Sequence, residues 1–349
     1  GFTGRDIRKA YEVPDSATGA GEVLGLLQLD SYDPKDIKKY CADNNLREVP
    51  RTDVLLAGFD GKIMDPGSQG EVTLDIELMN AMAPGAKEIR VFMASQENNG
   101  FFDILNEMAN PTRGDKKLVK SISCSWGAPE SAMDQGTLRA ESVIYRQMAI
   151  QGQSFFVASG DDGARDDRRS IGTDDPASQV YTVAVGGTSL YTRQDGSYSR
   201  ESAWLNGGGG ISMYWGIPAW QVGASGEGSL ASARKRNVPD VSMCADPATG
   251  YAIYVQGHYV TVGGTSCAAP LWGAVWGLVA EQRAKKGLPD AGFFSPAFYA
   301  LMKTPDGRAA MHDVLDKTTN GYYPAVSGRD NVTGWGTPRV GKLLQAFAK

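Results

Sequence analysis

Short apolar runs and segments of helical spacing alternate along the first half of the chain. Six runs are rich in Val, Ile or Phe and are bounded by Gly, Asp or Ser, as buried strands are: 23–29, 54–59, 89–93, 119–126, 155–158 and 180–185. Helical spacing between several of these runs predicts helices at 72–83, 101–109 and 138–151. Strands that alternate with helices are typical of a mostly parallel central sheet with helices on both faces. We therefore predict an α/β fold.

The second half of the chain has a different texture. From about residue 186 it is rich in Gly, Ser, Tyr and Trp and includes consecutive glycines at 207–210, which predicts long surface loops around a site. Helical character returns at 268–286, and the segment 312–338 is predicted to be irregular. Because an α/β architecture can hold all 349 residues in one unit, we predict a single domain over 1–349.

Composition argues against several classes of protein. Hydrophobic residues make up 42% and charged residues 21% of the chain, which excludes a disordered or fibrous protein. The formal net charge of -5 and the lack of a basic block argue against a nucleic-acid partner. No stretch of 18 apolar residues occurs, so no membrane-spanning helix is expected. The cysteines have neither metal-ligand spacing nor the density of a disulfide scaffold: Cys41, Cys124, Cys244 and Cys267.

Ser266 lies between a glycine pair and an apolar helical segment, with Pro270 expected in the first helical turn. A serine there would be close to backbone N–H donors and to the positive end of the helix dipole, which suits a nucleophilic oxygen and the oxyanion it creates. The alternative is an ordinary helix N-cap. Histidine is the usual base for such a hydroxyl, but the chain has only His258 and His312, and both are better explained as structural residues.

Two carboxylates are better candidates for proton transfer. Glu71 and Asp75 are spaced i,i+4 in a predicted helix, so they share one face, which Leu78 and Met82 continue. Burial and mutual repulsion would make such a pair share a proton well above the ordinary carboxyl pKa of ~4, which suits chemistry in acid. The alternative is a capping box from Ser68 to Glu71, in which the glutamate only bonds back to the helix start.

Asp161 follows the predicted strand 155–158, at the edge where active sites gather in open α/β sheets. An aspartate at this edge can form a turn, bind a metal ion or, when protonated, donate a hydrogen bond to an oxyanion. The residues around it leave these three roles open, with the turn as the default.

Several motifs occur in a fixed order and are more specific: 70–86, 123–127, 159–161 and 264–270, with further matches at 201–204, 218–221, 236–242 and 246–251. Together they resemble the sedolisin family of serine-carboxyl peptidases, most closely its kumamolisin-like members, over nearly the whole chain. The resemblance implies a subtilisin-like fold in which a glutamate replaces the catalytic histidine.

The resemblance also implies roles for the candidate residues. Ser266 would be the nucleophile, Glu71 its general base and later the acid to the leaving amine, and Asp75 the partner that shares the proton of Glu71. Asp161 would be a protonated donor in the oxyanion hole, since an ionised carboxylate only accepts. We expect an acid-active endopeptidase rather than a tripeptidyl-peptidase. A neutral Ser/His hydrolase and an inactive peptidase-like binding protein remain as alternatives.

For substrate binding, the resemblance points to Asp174 and to the segment of Ser125, Trp126 and Gly127. Asp174 matches a position beside the S2 pocket, where an aspartate would favour a basic P2 side chain. Gln28 takes the place of a glutamate that in some relatives extends the carboxyl network through a tryptophan, here Trp126. Because glutamine cannot exchange protons, we expect a pH optimum that differs from those relatives.

The resemblance further implies one Ca²⁺ site in a C-terminal loop at about 312–338. Its ligands would be the side chains of two aspartates and three backbone carbonyls, all of them oxygen donors that suit a hard cation: Asp313 and Asp330, with Val314, Val326 and Gly328. The expected partners are protein or peptide substrates and the chain's own prodomain, removed to leave a mature form. We expect a monomer that is secreted, or lysosomal or vacuolar.

Overall fold

A computed structural model describes residues 1–97 and 99–349. Its α-helices are α1 (Gly4–Ala10), α2 (Pro34–Asp43), α3 (Pro66–Met82), α4 (Gly100–Ala109), α5 (Gln135–Ile150), α6 (Thr265–Lys285), α7 (Phe294–Met302), α8 (Pro305–Ala309) and α9 (Val340–Phe347). Its strands are β1 (Val23–Gln28), β2 (Arg51–Leu55), β3 (Glu88–Met93), β4 (Ser121–Cys124), β5 (Ala128–Pro129), β6 (Ser154–Ala158), β7 (Asp174–Asp175), β8 (Val183–Thr192), β9 (Tyr198–Ala203), β10 (Gly210–Gly216), β11 (Lys235–Val238), β12 (Val241–Cys244), β13 (Tyr251–Val255), β14 (His258–Val262), β15 (Met311–His312) and β16 (Thr337–Pro338).

The central sheet has the strand order β12-β8-β6-β4-β1-β3-β2, and β9 pairs with β8 at its side. Every neighbouring pair along this order is parallel, whereas β8 and β9 are antiparallel. The interior strands are buried almost throughout, which explains why the sequence shows them as continuous apolar runs. The mostly parallel sheet is confirmed.

Helices cover both faces of this sheet. Successive residues of a strand point to opposite faces, so Leu26 joins an apolar cluster with α3 and α6, whereas Leu27 joins a second cluster with α4 and α5. Trp272 of α6 lies in the first cluster and Ile104 of α4 in the second, both fully buried. The active-site helices α3 and α6 therefore pack side by side on one face.

The second predicted strand is displaced from its predicted position. The sequence places it at 54–59, but β2 spans Arg51–Leu55. Ala57 and Gly58 adopt positive φ angles of 50° and 74°, which end the extended conformation. The apolar residues that prolonged the predicted run, such as Leu56, belong to the turn and still pack in the core.

The prediction of long loops from residue 186 is wrong. The sixth strand does not end at 185, since β8 continues to Thr192, and β9 to β14 follow before α6. Gly186 and Gly187 lie inside β8, where a Cβ atom would come within 2.6 Å of Pro239 and 2.8 Å of Ala245. These glycines therefore allow close packing inside a strand rather than forming a turn.

The C-terminal segment is irregular, as predicted. Between β15 and β16, which pair with each other, the backbone forms isolated bridges such as Asp330 with Gly334. All four cysteines are buried and free. Within 1–97 and 99–349, no helix is both long enough and apolar enough to span a membrane.

Candidate active site

Ser266 is the second residue of α6, and Gly264 is the N-cap. The helix begins at Thr265 rather than at residue 268, so the alternative of Ser266 as the N-cap is wrong. Gly264 has a φ of 119°, and a Cβ atom there would lie 2.7 Å from Asp161 Oδ2. Only glycine fits this conformation and this approach. Ser266 consequently lies in the first helical turn, where backbone N–H groups lack helical partners and the dipole is positive.

Pro270 lies in the second turn of α6, not in the first as expected. Because proline has no backbone N–H, the carbonyl of Ser266 loses its usual donor four residues ahead. The hydroxyl of Ser125 lies 3.3 Å from this carbonyl and can donate to it. The proline therefore links the backbone of the candidate nucleophile to the end of β4.

Glu71 lies in the second turn of α3, because the helix begins at Pro66 with Asp65 as its N-cap. The Asp65 side chain accepts a hydrogen bond from the backbone N–H of Ser68 at 2.8 Å. The alternative of a capping box from Ser68 to Glu71 is therefore wrong. Asp75 follows one turn later and is fully buried, on the face that Leu78 and Met82 continue into the core.

Two polar side chains hold Asp75, and a third orients one of them. Ser125 lies 2.7 Å from its Oδ1, and Gln28 donates from Nε2 to its Oδ2 at 2.6 Å. The indole N–H of Trp126 donates to Gln28 Oε1 at 3.0 Å. The tryptophan and glutamine expected to extend the carboxyl network are therefore in contact with it, although the glutamine passes no proton.

The environment raises both pKa values of the carboxyl pair. Burial raises the pKa of Glu71, and the hydroxyls of Ser266 and Ser125 oppose this rise. Burial, and then the charge of Glu71, raises the pKa of Asp75 well above its usual range. Glu71 Oε1 is buried and has no hydrogen-bond partner among the described residues. The pair therefore keeps a proton to a higher pH than a free carboxyl group would.

Asp161 is positioned by the residue next to the nucleophile. Thr265 donates to Asp161 Oδ1 from its backbone N–H at 2.8 Å and from its hydroxyl at 2.9 Å. Oδ2 is left near Gly264, and the residue itself remains open to solvent. Burial of the carboxyl group raises the pKa of Asp161, the Thr265 donors lower it, and the charge of Asp162 raises it. A protonated Oδ2 would be a hydrogen-bond donor at the mouth of the site.

A cavity of about 230 Å³ lies beside Ser266, and its wall includes Asp161, Asp166 and Asp174. Ser125 and Gly127 line it as well, but Trp126 does not. Burial, and then the charge of Asp166, raises the pKa of Asp174 well above its usual range. Asp166 is a site residue that the sequence analysis missed, because an Asp within the Arg- and Asp-rich segment 161–169 carries no signal that separates it from a solvated turn.

The two histidines lie elsewhere. His258 is exposed on β14, with Nδ1 3.1 Å from the carbonyl of Gln256. His312 stacks on the ring of Tyr198 with centroids 3.6 Å apart, and burial lowers its pKa to about 3. Within the described part of the chain, neither ring hydrogen-bonds to Ser266.

In the expected calcium loop, both aspartates accept hydrogen bonds from the backbone of residues 326–328. Asp313 Oδ2 accepts from the N–H of Gly328 at 2.8 Å, and Asp330 Oδ2 accepts from the N–H of Val326 at 2.9 Å. Across the described residues, the carbonyls of Val314, Val326 and Gly328 accept no backbone hydrogen bond, and no cluster of three or more His, Cys, Asp or Glu could hold a metal ion. Carboxylate and carbonyl oxygens are the ligands that Ca²⁺ takes in proteins, so these five residues stay candidates for the predicted calcium site.

Comparisons with known proteins agree with this geometry. The model of the subtilase family matches residues 61–336. Kumamolisin of Bacillus sp. (strain MN-32) is 33% identical, over 99% of this chain and 63% of that protein. Sedolisin of Pseudomonas sp. (strain 101) is 31% identical, over 95% of this chain and 59% of that protein. The chain thus spans less than two thirds of the length of these relatives.

A solved structure is similar over the whole fold. Pseudomonas sedolisin, a serine-carboxyl proteinase complexed with two molecules of pseudo-iodotyrostatin, matches with a TM-score of 0.88 at 30% identity, over 99% of this chain and 97% of that chain. A lanthipeptide protease with 15% identity and a TM-score of 0.61 shares the fold alone. The predicted subtilisin-like fold is confirmed.

Proposed function

This chain belongs to the subtilase family and, within it, to the sedolisin family of serine-carboxyl peptidases, and we propose that it hydrolyses peptide bonds in acid through an acyl-enzyme on Ser266. One arrangement supports this function above all others. Asp75 is buried and Glu71 is partly exposed, and this carboxyl pair stands next to the hydroxyl of Ser266 at the start of a helix.

In the first step, Glu71 accepts the hydroxyl proton of Ser266 while Oγ attacks the substrate carbonyl carbon. Asp75 would keep a proton at this stage, so that Glu71 is ionised and can act as base. The carbonyl oxygen becomes an oxyanion, which accepts a hydrogen bond from protonated Asp161. A carboxylic acid can donate here because its protonated oxygen carries a hydrogen, which an ionised carboxylate lacks.

In the second step, the tetrahedral intermediate collapses and the C–N bond breaks. Glu71 returns the proton to the leaving amine, which departs as the first product and leaves the acyl group on Ser266 Oγ. Water then attacks the acyl carbon, with Glu71 as base again, and Ser266 regains its proton when the acid product leaves. Loss of protons from Asp161 and from the carboxyl pair stops this cycle as the pH rises.

Product analysis separates the two peptidase types. We favour an endopeptidase, since kumamolisin and sedolisin show the higher identities, while tripeptidyl-peptidase 1 of Dictyostelium discoideum is 27% identical over 97% of this chain. Internal cuts in an unstructured protein would support the endopeptidase, and release of tripeptides alone would contradict it. A prodomain partner, secretion and a monomeric state remain predictions.

We also propose that the cavity beside Ser266 accepts the P2 side chain of the substrate. A basic P2 side chain would be favoured, because Asp166 and Asp174 line the wall of this cavity. Peptides with Arg or Leu at P2 would be compared for wild type and Asp174→Asn. A preference for Arg that falls in the variant supports the assignment. Equal rates for both peptides contradict it.

Calcium is proposed for the loop that contains Asp313 and Asp330. The ion would neutralise the two carboxylates and tie the segment 326–330 to the residues that follow β15. Its contribution would be to stability, because the loop lies outside the cavity beside Ser266.

The experiment that tests the function is the rate of cleavage of a quenched peptide from pH ~2.5 to 8 for wild type and Glu71→Gln. An acid optimum that the variant loses supports the carboxyl-based peptidase. Activity near neutrality that survives the substitution would favour the neutral Ser/His hydrolase instead. Absence of cleavage at every pH would favour the inactive binding protein.

A further inference from the structure

A second and larger cavity lies beside the active site, on the other side of the segment that follows β4. Its volume is about 520 Å³, within the range of ~300–1,000 Å³ typical of ligand pockets. Apolar side chains form much of its wall: Leu29, Phe101, Phe102, Trp126 and Met133. Gly127 and Ala128 line both this cavity and the one beside Ser266. A peptide bound along this segment can therefore reach both cavities.

Two carboxyl groups face this apolar wall, Glu141 from α5 and Asp175 from β7. They are 3% and 2% exposed, so their carboxyl groups belong to the inner end of the cavity. Asp175 Oδ1 accepts from Gln179 Nε2 at 2.9 Å. Glu141 and Asp175 hydrogen-bond to each other through their carboxyl groups, and among the described residues no N–H or hydroxyl donor reaches the buried Glu141 Oε2. An unpaired buried carboxyl oxygen costs stability, which is expected where a ligand supplies the missing donor.

We propose that this cavity binds a lysine or arginine side chain of the peptide substrate, with its cationic group on Glu141 and Asp175; this rests on the proposed peptidase function. The aliphatic stem of such a side chain packs against Phe101, Trp126 and the rest of the apolar wall, and only its head needs a polar partner. The N–H groups of a guanidinium or ammonium supply the donor that Glu141 Oε2 lacks.

The alternation of side chains along β7 places its two aspartates in different cavities. Asp174 and Asp175 are neighbours, and Asp174 lines the cavity beside Ser266 whereas Asp175 lines the larger one. They pair with Pro129 and Ala128 of β5, so the ribbon separates the two cavities. Because successive side chains of an extended peptide also point to opposite sides, the two cavities would accept substrate residues an odd number of positions apart.

The charged neighbours of the pair are also acids. Burial raises the pKa of Glu141 to about 9, with the charge of Asp175 next, and raises that of Asp175 to about 6. Asp134 and Glu130 raise these values further, and Tyr145 packs against the pair from α5. The empty cavity is consequently close to neutral in acid and gains negative charge above about pH 6. A bound cation would favour the ionised form of Asp175, so the preference for a basic side chain is expected to be stronger at the upper end of the pH range in which the enzyme cleaves.

Cleavage of a peptide library, with the cut sites read by mass spectrometry, tests the proposal. Wild type, Glu141→Gln and Asp175→Asn would be compared with Asp103→Asn, an exposed residue of α4 that removes the same charge without lining the cavity. Lys and Arg should be enriched about tenfold, which is the effect expected of one charge-assisted hydrogen bond. The enriched position should lie an odd number of residues from the substrate residue that contacts Asp174. The enrichment should disappear in Asp175→Asn, fall in Glu141→Gln and persist in Asp103→Asn.

Two results would overturn the proposal: cuts without this enrichment in wild type, or enrichment that Glu141→Gln leaves intact. If no peptide is cut at all, the proposed function fails, and binding of peptides to the cavity would be measured by calorimetry instead. A peptide that binds the wild-type protein would be made with Arg or with norleucine at each position in turn, and each version would be titrated into the protein. Weaker binding of the norleucine peptide than of the Arg peptide at one position, with no such difference in Glu141→Gln, supports the cavity. Equal binding of the Arg and norleucine peptides contradicts it.

Discussion

Gln28 donates from Nε2 to Asp75 Oδ2 across 2.6 Å, and the indole N–H of Trp126 fixes the direction of that amide by donating to its Oε1. An amide NH₂ group only donates, so Asp75 Oδ2 must be an acceptor. A proton on Asp75 would therefore lie on Oδ1. Ser125 lies 2.7 Å from that atom and can pass its own hydrogen to the carbonyl of Ser266, which Pro270 leaves without a helical donor.

Gln28→Glu should move the acid limb of the pH–rate profile to higher pH. A glutamate beside Asp75 adds a negative charge or competes for the shared proton, and either effect raises the pKa of Glu71. We expect a shift of about one unit, measured as kcat/KM between pH 3 and 7. Gln345→Glu, on the exposed face of α9, makes the same chemical change at a distance. Profiles that coincide for Gln28→Glu and wild type would contradict the coupling.

Asp161→Asn should retain much more activity than Asp161→Ala. The asparagine carbonyl can accept the two Thr265 donors, and its NH₂ can donate to the oxyanion at every pH. Loss of the donor in the alanine variant should lower kcat by roughly 10²–10³. The two variants would be compared with a quenched peptide at the pH optimum. Wild-type turnover by the alanine variant would rule out a role in the oxyanion hole.

Gly264→Ala should lower both stability and kcat. The new Cβ would meet Asp161 Oδ2 at 2.7 Å, and φ at this position is 119°. Gly70→Ala is the matched control, because a Cβ there meets no atom within 4 Å, and the residue lies inside α3. Alanine should stabilise that helix by roughly 0.5–1 kcal/mol. Thermal melting would separate the two variants, and equal melting temperatures would contradict the steric argument.

Chelation of calcium should lower the melting temperature of the wild type by several degrees. Asp313→Asn should lose most of this response, because one of the two carboxylates no longer attracts the ion. Asp316→Asn removes an exposed aspartate from the same loop and should keep the response. An identical melt with and without chelator in wild type would count against the site.

Stability should increase as the pH falls from 9 to 5. Burial raises the pKa of Glu77 to about 9, with donation from Tyr254 N–H opposing the rise and the charge of Asp36 adding to it. A carboxyl whose folded pKa is raised stabilises the fold below its unfolded pKa, and this contribution is lost as the pH rises to the folded value. Glu77→Gln should therefore raise the melting temperature at pH 8 and change it little at pH 4. A variant that melts lower at pH 8 would contradict this sign.

The sequence predicted those parts of the site that lie within one helix or follow one strand. Glu71 and Asp75 share a face because of the helical period, and Asp161 follows an apolar strand that the composition makes visible. The pairing of Asp166 with Asp174 and of Glu141 with Asp175 was not predictable in this way. Each pair joins separate elements, so no local spacing records it.

The errors in the fold prediction come from backbone conformations and close packing that the residue type alone does not reveal. Glycine serves turns and close packing equally well, and composition does not distinguish these uses. Gly186 and Gly187 were assigned to loops, but they admit Pro239 and Ala245 against a strand. Conversely, Ala57 adopts a positive φ angle that is not expected for alanine, and β2 therefore ends early.

The ribbon of β5 and β7 determines how insertions and substitutions would alter the two cavities. Asp174 and Asp175 reach different cavities only because they are adjacent on a strand of two residues. Insertion or deletion of a single residue just before β7 would exchange which cavity each position faces. Point substitutions can retune one cavity alone, whereas changes in loop length between β6 and β7 alter both together.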